Sequence, residues 1–162
     1  GAGVGLVDRT LAPPDLTFAG LQCLRALQTG EGADARRVQA GIAATRAAPP
    51  RAGLPVVVLH GVDDGLVPMA FSSAPYVAAA KAAGRDVRFW QVANAQHFDG
   101  FLGLPDYAAR YVPMLPYMYA ALDRVSAHLD GQGALPADAV IATTPRGAGQ
   151  ALTKEHLAIP AD

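Results

Sequence analysis

Three side chains could do chemistry together: the adjacent carboxylates Asp63 and Asp64 in "LPVVVLHGVDDGLVP", and the imidazole of His97 in "NAQHFDGF". A carboxylate and an imidazole make the outer pair of a nucleophile–histidine–acid relay. The carboxylate fixes the ring's tautomer and steadies the imidazolium, while the other ring nitrogen takes the nucleophile's proton. A metal site is the weaker reading of the same residues. No two histidines have HxxxH spacing, and Asp63, Asp64, His60 and His97 would have to converge with no further ligand in view.

For either carboxylate to meet His97, the chain must bring two loops to one edge. Val56 to Leu59 is a continuous β-branched and apolar run, which predicts a strand buried on both faces of a parallel sheet. "PMAFSSAPYVAAAKAAG" predicts a helix ending at Gly84, and "RDVRFWQVAN" a second strand from about Asp86 to Val92. A β-loop-α-β unit of this length lays its strands side by side and parallel, with both carboxyl ends on the same edge. Open α/β sheets place ligands and chemistry at that edge.

Upstream, "PPDLTFAGLQCLRALQTGEG" predicts a helix with Asp15 as N-cap, Leu16, Leu21, Leu24 and Leu27 near one face, and Gly30 beyond its end. "ADARRVQAGIAATRAAPP" predicts a second helix, closed by Pro49 and Pro50. Downstream, "PMLPYMYAALDRVSAHLDG" predicts a long helix starting near Pro113 or Pro116 and ending before Gly131. The tail is weakly patterned, with at most a short strand at "DAVIATT".

The 162 residues are 51% hydrophobic and 17% charged, with 13 basic against 14 acidic residues. Such a near-neutral chain offers no basic surface for nucleic acid or an anionic membrane, so a small neutral substrate is the expected partner. The single cysteine, Cys23, rules out an intrachain disulfide and a CxxC knuckle; on an amphipathic helix it is expected to pack as a small hydrophobe. No apolar run approaches the roughly 20 residues that span a bilayer, and "GAGVGLVDRT" lacks the build of a signal peptide. A chain this short that starts at Gly1 without Met fits the C-terminal part of a longer polypeptide. "GAGVG" has neither a preceding strand nor a full GxGxxG frame, and no dinucleotide is expected.

These residues resemble a known family. "HGVDDGLVP" matches the HGxxDxxVP signature at the acid strand of α/β-hydrolases, and "NAQHFDGF" is similar to their histidine loop, in the acid-then-histidine order of that fold. With "VANAQHFDGFLGLPDYAARYVPMLPYMYAALD" and "IATTPRG", most of the chain resembles the C-terminal portion of the D-(-)-3-hydroxybutyrate oligomer hydrolases. The resemblance implies the C-terminal part of an α/β-hydrolase fold over residues 51–162, preceded by a helical cap-like insertion over 1–50. It also implies hydrolysis of the esters of short 3-hydroxybutyrate oligomers without a cofactor, in a secreted or periplasmic setting with an intracellular one left open.

By the match, Asp64 is the catalytic acid and His97 the base, with Asp63 a neighbour that caps turn amides. The family's GxSxG nucleophile is absent from this chain, whose only serines are Ser72, Ser73 and Ser126. Ser72 and Ser73 read as helix-terminal residues, and Ser126 lies well inside the last helix. The serine and oxyanion hole are therefore expected in an upstream segment or a companion chain. His60 reads as a hydrogen-bonding loop residue and His128 as a helix-dipole partner, while His156 carries no signal. Two alternatives stand beside this reading: a binding module of the same frame without catalysis, and an esterase of the same fold acting on another ester.

Overall fold

The computed structural model describes residues 18–161. The chain divides into two compact units, with the boundary between Ala47 and Ala48. Asp15 and Leu16 lie outside the described residues.

In the first unit, helix α1 (Phe18–Thr29) and helix α2 (Ala33–Thr45) are joined through Gly30, Glu31 and Gly32. Gly30 ends α1 by donating its amide to the Ala26 carbonyl at 2.9 Å. A Cβ at Gly30 would lie 2.4 Å from that same oxygen, so no larger residue fits there without a shift. The side-chain amide of Gln39 then ties the helices together by donating to the carbonyls of Gln28 and Gly30. Ala35 is buried, but Leu21, Leu24 and Ile42 stay exposed, and so does Cys23. Of the expected apolar face of α1, Leu21 and Leu24 are thus exposed while Leu27 is half-buried, and the cysteine is not packed as a hydrophobe.

The second unit is a three-layer α/β arrangement. Strands β1 (Val56–Gly61), β2 (Val87–Val92) and β3 (Ala139–Ile141) form one sheet in the order β1-β2-β3, every pair parallel. The β1–β2 register sets Val56 beside Val87 and Gly61 beside Val92, so the two strands end level. Helix α3 (Ser73–Ala82) crosses between them and packs Val77 and Ala80 on Val87 and Phe89. On the opposite face, Trp90 and Val92 pack with Tyr117 and Ala121 of helix α5 (Leu115–Leu129). Alternation along β2 sends successive side chains to opposite faces, which is why a strand with apolar residues at both parities sits in the middle. β1 packs on both faces as expected, Val57 and Leu59 against the Trp90–Tyr117 cluster and Val56 and Val58 against the Val77–Phe89 cluster, but it ends the sheet, and from Val56 to His60 its residues are only half-buried.

Polar anchors tie the tail to the core. The buried Tyr117 hydroxyl donates to the Leu157 carbonyl at 2.6 Å, and Trp90 donates its indole N–H to the Ala137 carbonyl at 3.0 Å. Burial pushes the Tyr117 phenol far above its ordinary range, keeping it a neutral donor. Asp138 receives the Phe89 amide and the Lys81 ammonium, docking the segment before β3 onto β2 and α3. The 3₁₀ turn Met69–Phe71 ahead of α3, helix α4 (Pro105–Arg110), the 3₁₀ turn Asp99–Gly103 ahead of it and helix α6 (Lys154–Leu157) complete the described part of the unit. Among the described residues no helix is long and apolar enough to cross a membrane.

Candidate functional site

The loops that leave β1 and β2 meet at the carboxyl edge of the sheet. After Gly61 the chain turns across the end of β2: the Val62 amide donates to the Val92 carbonyl at 2.8 Å, and the Asp63 amide to the Ala95 carbonyl at 3.2 Å. The Asp64 amide closes the turn back onto the Gly61 carbonyl. These bonds leave the Asp63 side chain exposed and turn Asp64 inward, where it is one of two buried polar residues among those described.

The second loop is fixed just as locally. Asn94 adopts a left-handed backbone (φ 50°), which asparagine tolerates better than most residues. Its side-chain amide donates to the carbonyl and hydroxyl oxygens of Thr143, whose hydroxyl donates to the Ala93 carbonyl. Past His97, the carboxylate of Asp99 accepts the backbone amides of Met114 at 2.7 Å and Leu115 at 2.9 Å. The histidine loop is thus held to β3's exit on one side and to the start of α5 on the other.

Between the loops, His97 Nδ1 lies 2.8 Å from Asp64 Oδ2. An ionised carboxylate only accepts, so Nδ1 carries the proton and donates it. The other oxygen, Oδ1, accepts the amides of Leu66 and Val67, each at 2.9 Å. Asp64 therefore performs both tasks that the sequence divides between two aspartates: it caps the turn and holds the histidine. Asp63 caps nothing. The reason is direction, because neighbouring residues in the turn point opposite ways and the Val92 and Ala95 carbonyls decide which one faces in.

Burial alone would push the Asp64 carboxyl up. The Val67 amide, the His97 ring and the Leu66 amide together outweigh that cost and hold it below the ordinary carboxylate value. His97 Nε2 has no hydrogen-bond partner among the described residues, and the side chain is 36% accessible. The Phe98 ring meets it edge-on with centroids 4.5 Å apart, which limits the ring's rotation. A shallow cavity of about 370 Å³ opens here, bounded by His60, Asp64, Ser73, His97 and Met114. A larger one of about 940 Å³ lies at the far side of α5, between Trp90, Arg124 and Pro136, and touches neither Asp64 nor His97.

The other sequence candidates fall in distinct places. Ser72 precedes α3 and donates its hydroxyl to the Pro68 carbonyl, and Ser126 is exposed on α5. His128 bonds the Gly133 carbonyl, and His156 closes a capping box with Thr153 at the start of α6. Two contributors escaped the sequence reading. Asp99 had no mark beyond its place in the histidine loop, and Gln96 accepts the Gly65 amide in a long contact of 3.4 Å. His60 is the hydrogen-bonding loop residue expected of it, and it also pairs with Ser73, whose Oγ lies 2.8 Å from its Nδ1. Among the described residues no cluster of three or more His, Cys, Asp or Glu side chains is arranged to hold a metal.

Comparison with known proteins agrees on one family. A family model described as 3HB-oligomer hydrolase matches residues 7–161. The D-(-)-3-hydroxybutyrate oligomer hydrolase of Paracidovorax citrulli is 42% identical over 141 residues, which is 83% of this chain and 20% of that protein. Its namesake from Cupriavidus necator is 43% identical over 137 residues, covering 82% of this chain and 19% of that protein. That from Azoarcus sp. is 40% identical over 153 residues, covering 88% and 22%. The chain thus spans about a fifth of the length of these relatives. No solved structure matches it. With a family model running across nearly the whole chain and these identities beside it, the chain belongs to the 3HB-oligomer hydrolase family.

Proposed function

We propose that this chain supplies the acid and the histidine of a serine-type ester hydrolase that cleaves short 3-hydroxybutyrate oligomers to monomer. The serine and oxyanion hole would come from a part of the enzyme outside this chain, on the frame of an α/β-hydrolase. The observation that carries the reading is the 2.8 Å bond between His97 Nδ1 and Asp64 Oδ2, with Nε2 left for a nucleophile. The substrate class rests on the printed names of the relatives.

In this reading His97 Nε2 removes the serine hydroxyl proton as Oγ adds to the ester carbonyl. The proton then passes to the leaving 3-hydroxy oxygen as the C–O bond breaks, and the released fragment keeps a free hydroxyl. Water enters on the same base, adds to the acyl-serine, and its proton returns through Nε2 to the serine as the carboxylic acid leaves. Asp64 moves no proton. It keeps the Nδ1–H tautomer in place and balances the imidazolium in both halves.

The test is to treat the full-length enzyme with a fluorophosphonate probe, map the labelled peptide, and assay the same protein on 3-hydroxybutyrate dimer and trimer. The reading expects label on a serine outside residues 1–162, lost together with oligomer hydrolysis in His97→Ala. Full labelling and turnover in His97→Ala would overturn it. A folded protein that takes no label and cleaves no oligomer would favour a binding module of the same frame.

A further inference from the structure

The geometry points to His60 as a positioning residue for the catalytic acid: its imidazole closes the loop that presents Asp64 and thereby sets how firmly that carboxylate holds His97. This rests on the hydrolase reading above. His60 is the penultimate residue of β1, its side chain is 10% accessible, and its ring nitrogens have partners on the loop that follows and on the helix after it. Nε2 lies 3.0 Å from the Val67 carbonyl oxygen, and Nδ1 lies 2.8 Å from the Ser73 hydroxyl at the first turn of α3.

A carbonyl can only accept, so the Nε2–H tautomer is the one that satisfies the ring. Nδ1 is then bare and accepts the Ser73 hydroxyl proton. One imidazole therefore fastens the middle and the far end of the loop to the strand that begins it. Val67 is the connecting link. Its carbonyl is held by His60 while its amide donates to Asp64 Oδ1, and Pro68 after it restricts its backbone to extended conformations. From Ser73 through His60 and Val67 to Asp64 and His97 the polar contacts are continuous.

The same distances argue against a second relay. His60 Nε2 stands 3.7 Å from Asp64 Oδ2, outside hydrogen-bond range, and its proton is directed to Val67. Ser73 is therefore a donor in a structural chain rather than a nucleophile backed by an acid.

The experiment uses the full-length enzyme, with active sites titrated by fluorophosphonate, and measures kcat, KM and the pH profile on 3-hydroxybutyrate dimer. Two variants separate the two bonds. His60→Gln keeps an N–H donor near the Nε2 position, and His60→Asn keeps an acceptor near Nδ1 while dropping the Val67 bond. His60→Asn should lower kcat per titrated site by roughly 10- to 100-fold, the range known for losing an outer-shell partner that orients a metal ligand. KM should stay unchanged, and His60→Gln should recover most of the rate. The acid limb of kcat/KM should also move to lower pH in His60→Asn, because a loosened Asp64 stabilises the His97 imidazolium less.

An unmoved acid limb, or equal rates in the two variants, would overturn the inference, and so would label on Ser73. If neither variant folds, the wild-type protein still decides: nitrogen-15 NMR should show His60 as the Nε2–H tautomer, and an Nδ1–H tautomer would refute it. Asp64→Asn and His97→Ala run alongside as controls. Activity surviving in both would reject the hydrolase reading itself, whereas their loss with indifferent His60 variants would reject only the role of His60.

Discussion

Gly61 and Ala95 approach so closely that a Cβ built on Gly61 would stand 2.5 Å from the Ala95 carbonyl oxygen and 2.7 Å from its carbonyl carbon. Gly61 does not need a positive φ, so the requirement is purely steric. The glycine of the "HGVDDG" stretch is there because the acid loop and the histidine loop touch through it. Gly61→Ala should destabilise the folded enzyme by roughly 1–3 kcal/mol, the usual range for overpacking a rigid site. It should lower kcat beyond what the lost folded fraction explains, because the neighbour that must yield is the backbone leading to His97. Thermal unfolding and active-site titration of the same sample measure the two effects; a rate that simply follows the titrated fraction would contradict the second.

The two aspartates separate cleanly by substitution. In Asp64→Asn, the side-chain oxygen can still accept the Leu66 and Val67 amides, so the loop is kept. The amide nitrogen then faces His97 Nδ1, where donor would meet donor, and the ring is driven to the wrong tautomer. Turnover should fall on the order of 10⁴-fold, as in serine proteases altered in the same way. Asp63→Asn, on an exposed side chain with no capping role, should stay within about twofold in rate, the small effect expected of a surface site away from such features. Steady-state assays on 3-hydroxybutyrate dimer decide it, and the reverse order would give the acid's place to Asp63.

How much of this was legible before any coordinates follows from which signals are local. β1, β2 and the helix between them announce themselves as β-branched runs and an Ala-rich stretch, and α5 by its Pro at the start and Gly131 beyond its end. Those runs also put the carboxylates and His97 on loops at one sheet edge. The inward turn of Asp64 was not readable, because it is decided by the Val92 and Ala95 carbonyls on another strand and loop. Nor was the half-buried character of β1, since an apolar run does not reveal whether its strand will have neighbours on both sides. The 3₁₀ turn Asp99–Gly103 and helix α4 were not readable because both are too short to show a period. That His60 would hydrogen-bond in its loop was readable, but its partners Val67 and Ser73 were not, for the same reason as Asp64's direction.

Acid should loosen the second unit through two carboxylates. Asp64 and Asp138 are both held below the ordinary value of 3.8, Asp64 by hydrogen bonds that outweigh its burial and Asp138 first by Lys81. A carboxyl depressed in the folded state stabilises the fold fully above its unfolded value. That contribution is lost as pH falls through the lower, folded value. Urea midpoints should therefore be flat with respect to these two groups well above 3.8 and drop below it. The drop should be shallower in Asp64→Asn and in Asp138→Asn, which have no proton to gain at those positions; an unchanged slope in Asp64→Asn would mean that its hydrogen bonds do not persist in solution.

Asp99 offers the clearest separation between building the site and performing the chemistry. Its carboxylate lies two residues past His97 and touches neither the histidine ring nor Asp64, yet it accepts the Met114 and Leu115 amides at the start of α5. Those amides are unpaired donors at a helix beginning, where a carboxylate is favoured by hydrogen bonding and by the helix dipole alike. Asp99→Ala should cost about 0.5–2 kcal/mol of stability, the range for losing such a cap. Because the same side chain anchors the loop that carries His97, kcat should fall as well, and Asp99→Asn, which keeps one good acceptor, should restore most of both. Chemical unfolding and dimer hydrolysis on the three proteins give the comparison. Loss of activity in Asp99→Ala with stability intact would mean that Asp99 acts on the reaction directly rather than through the loop it anchors.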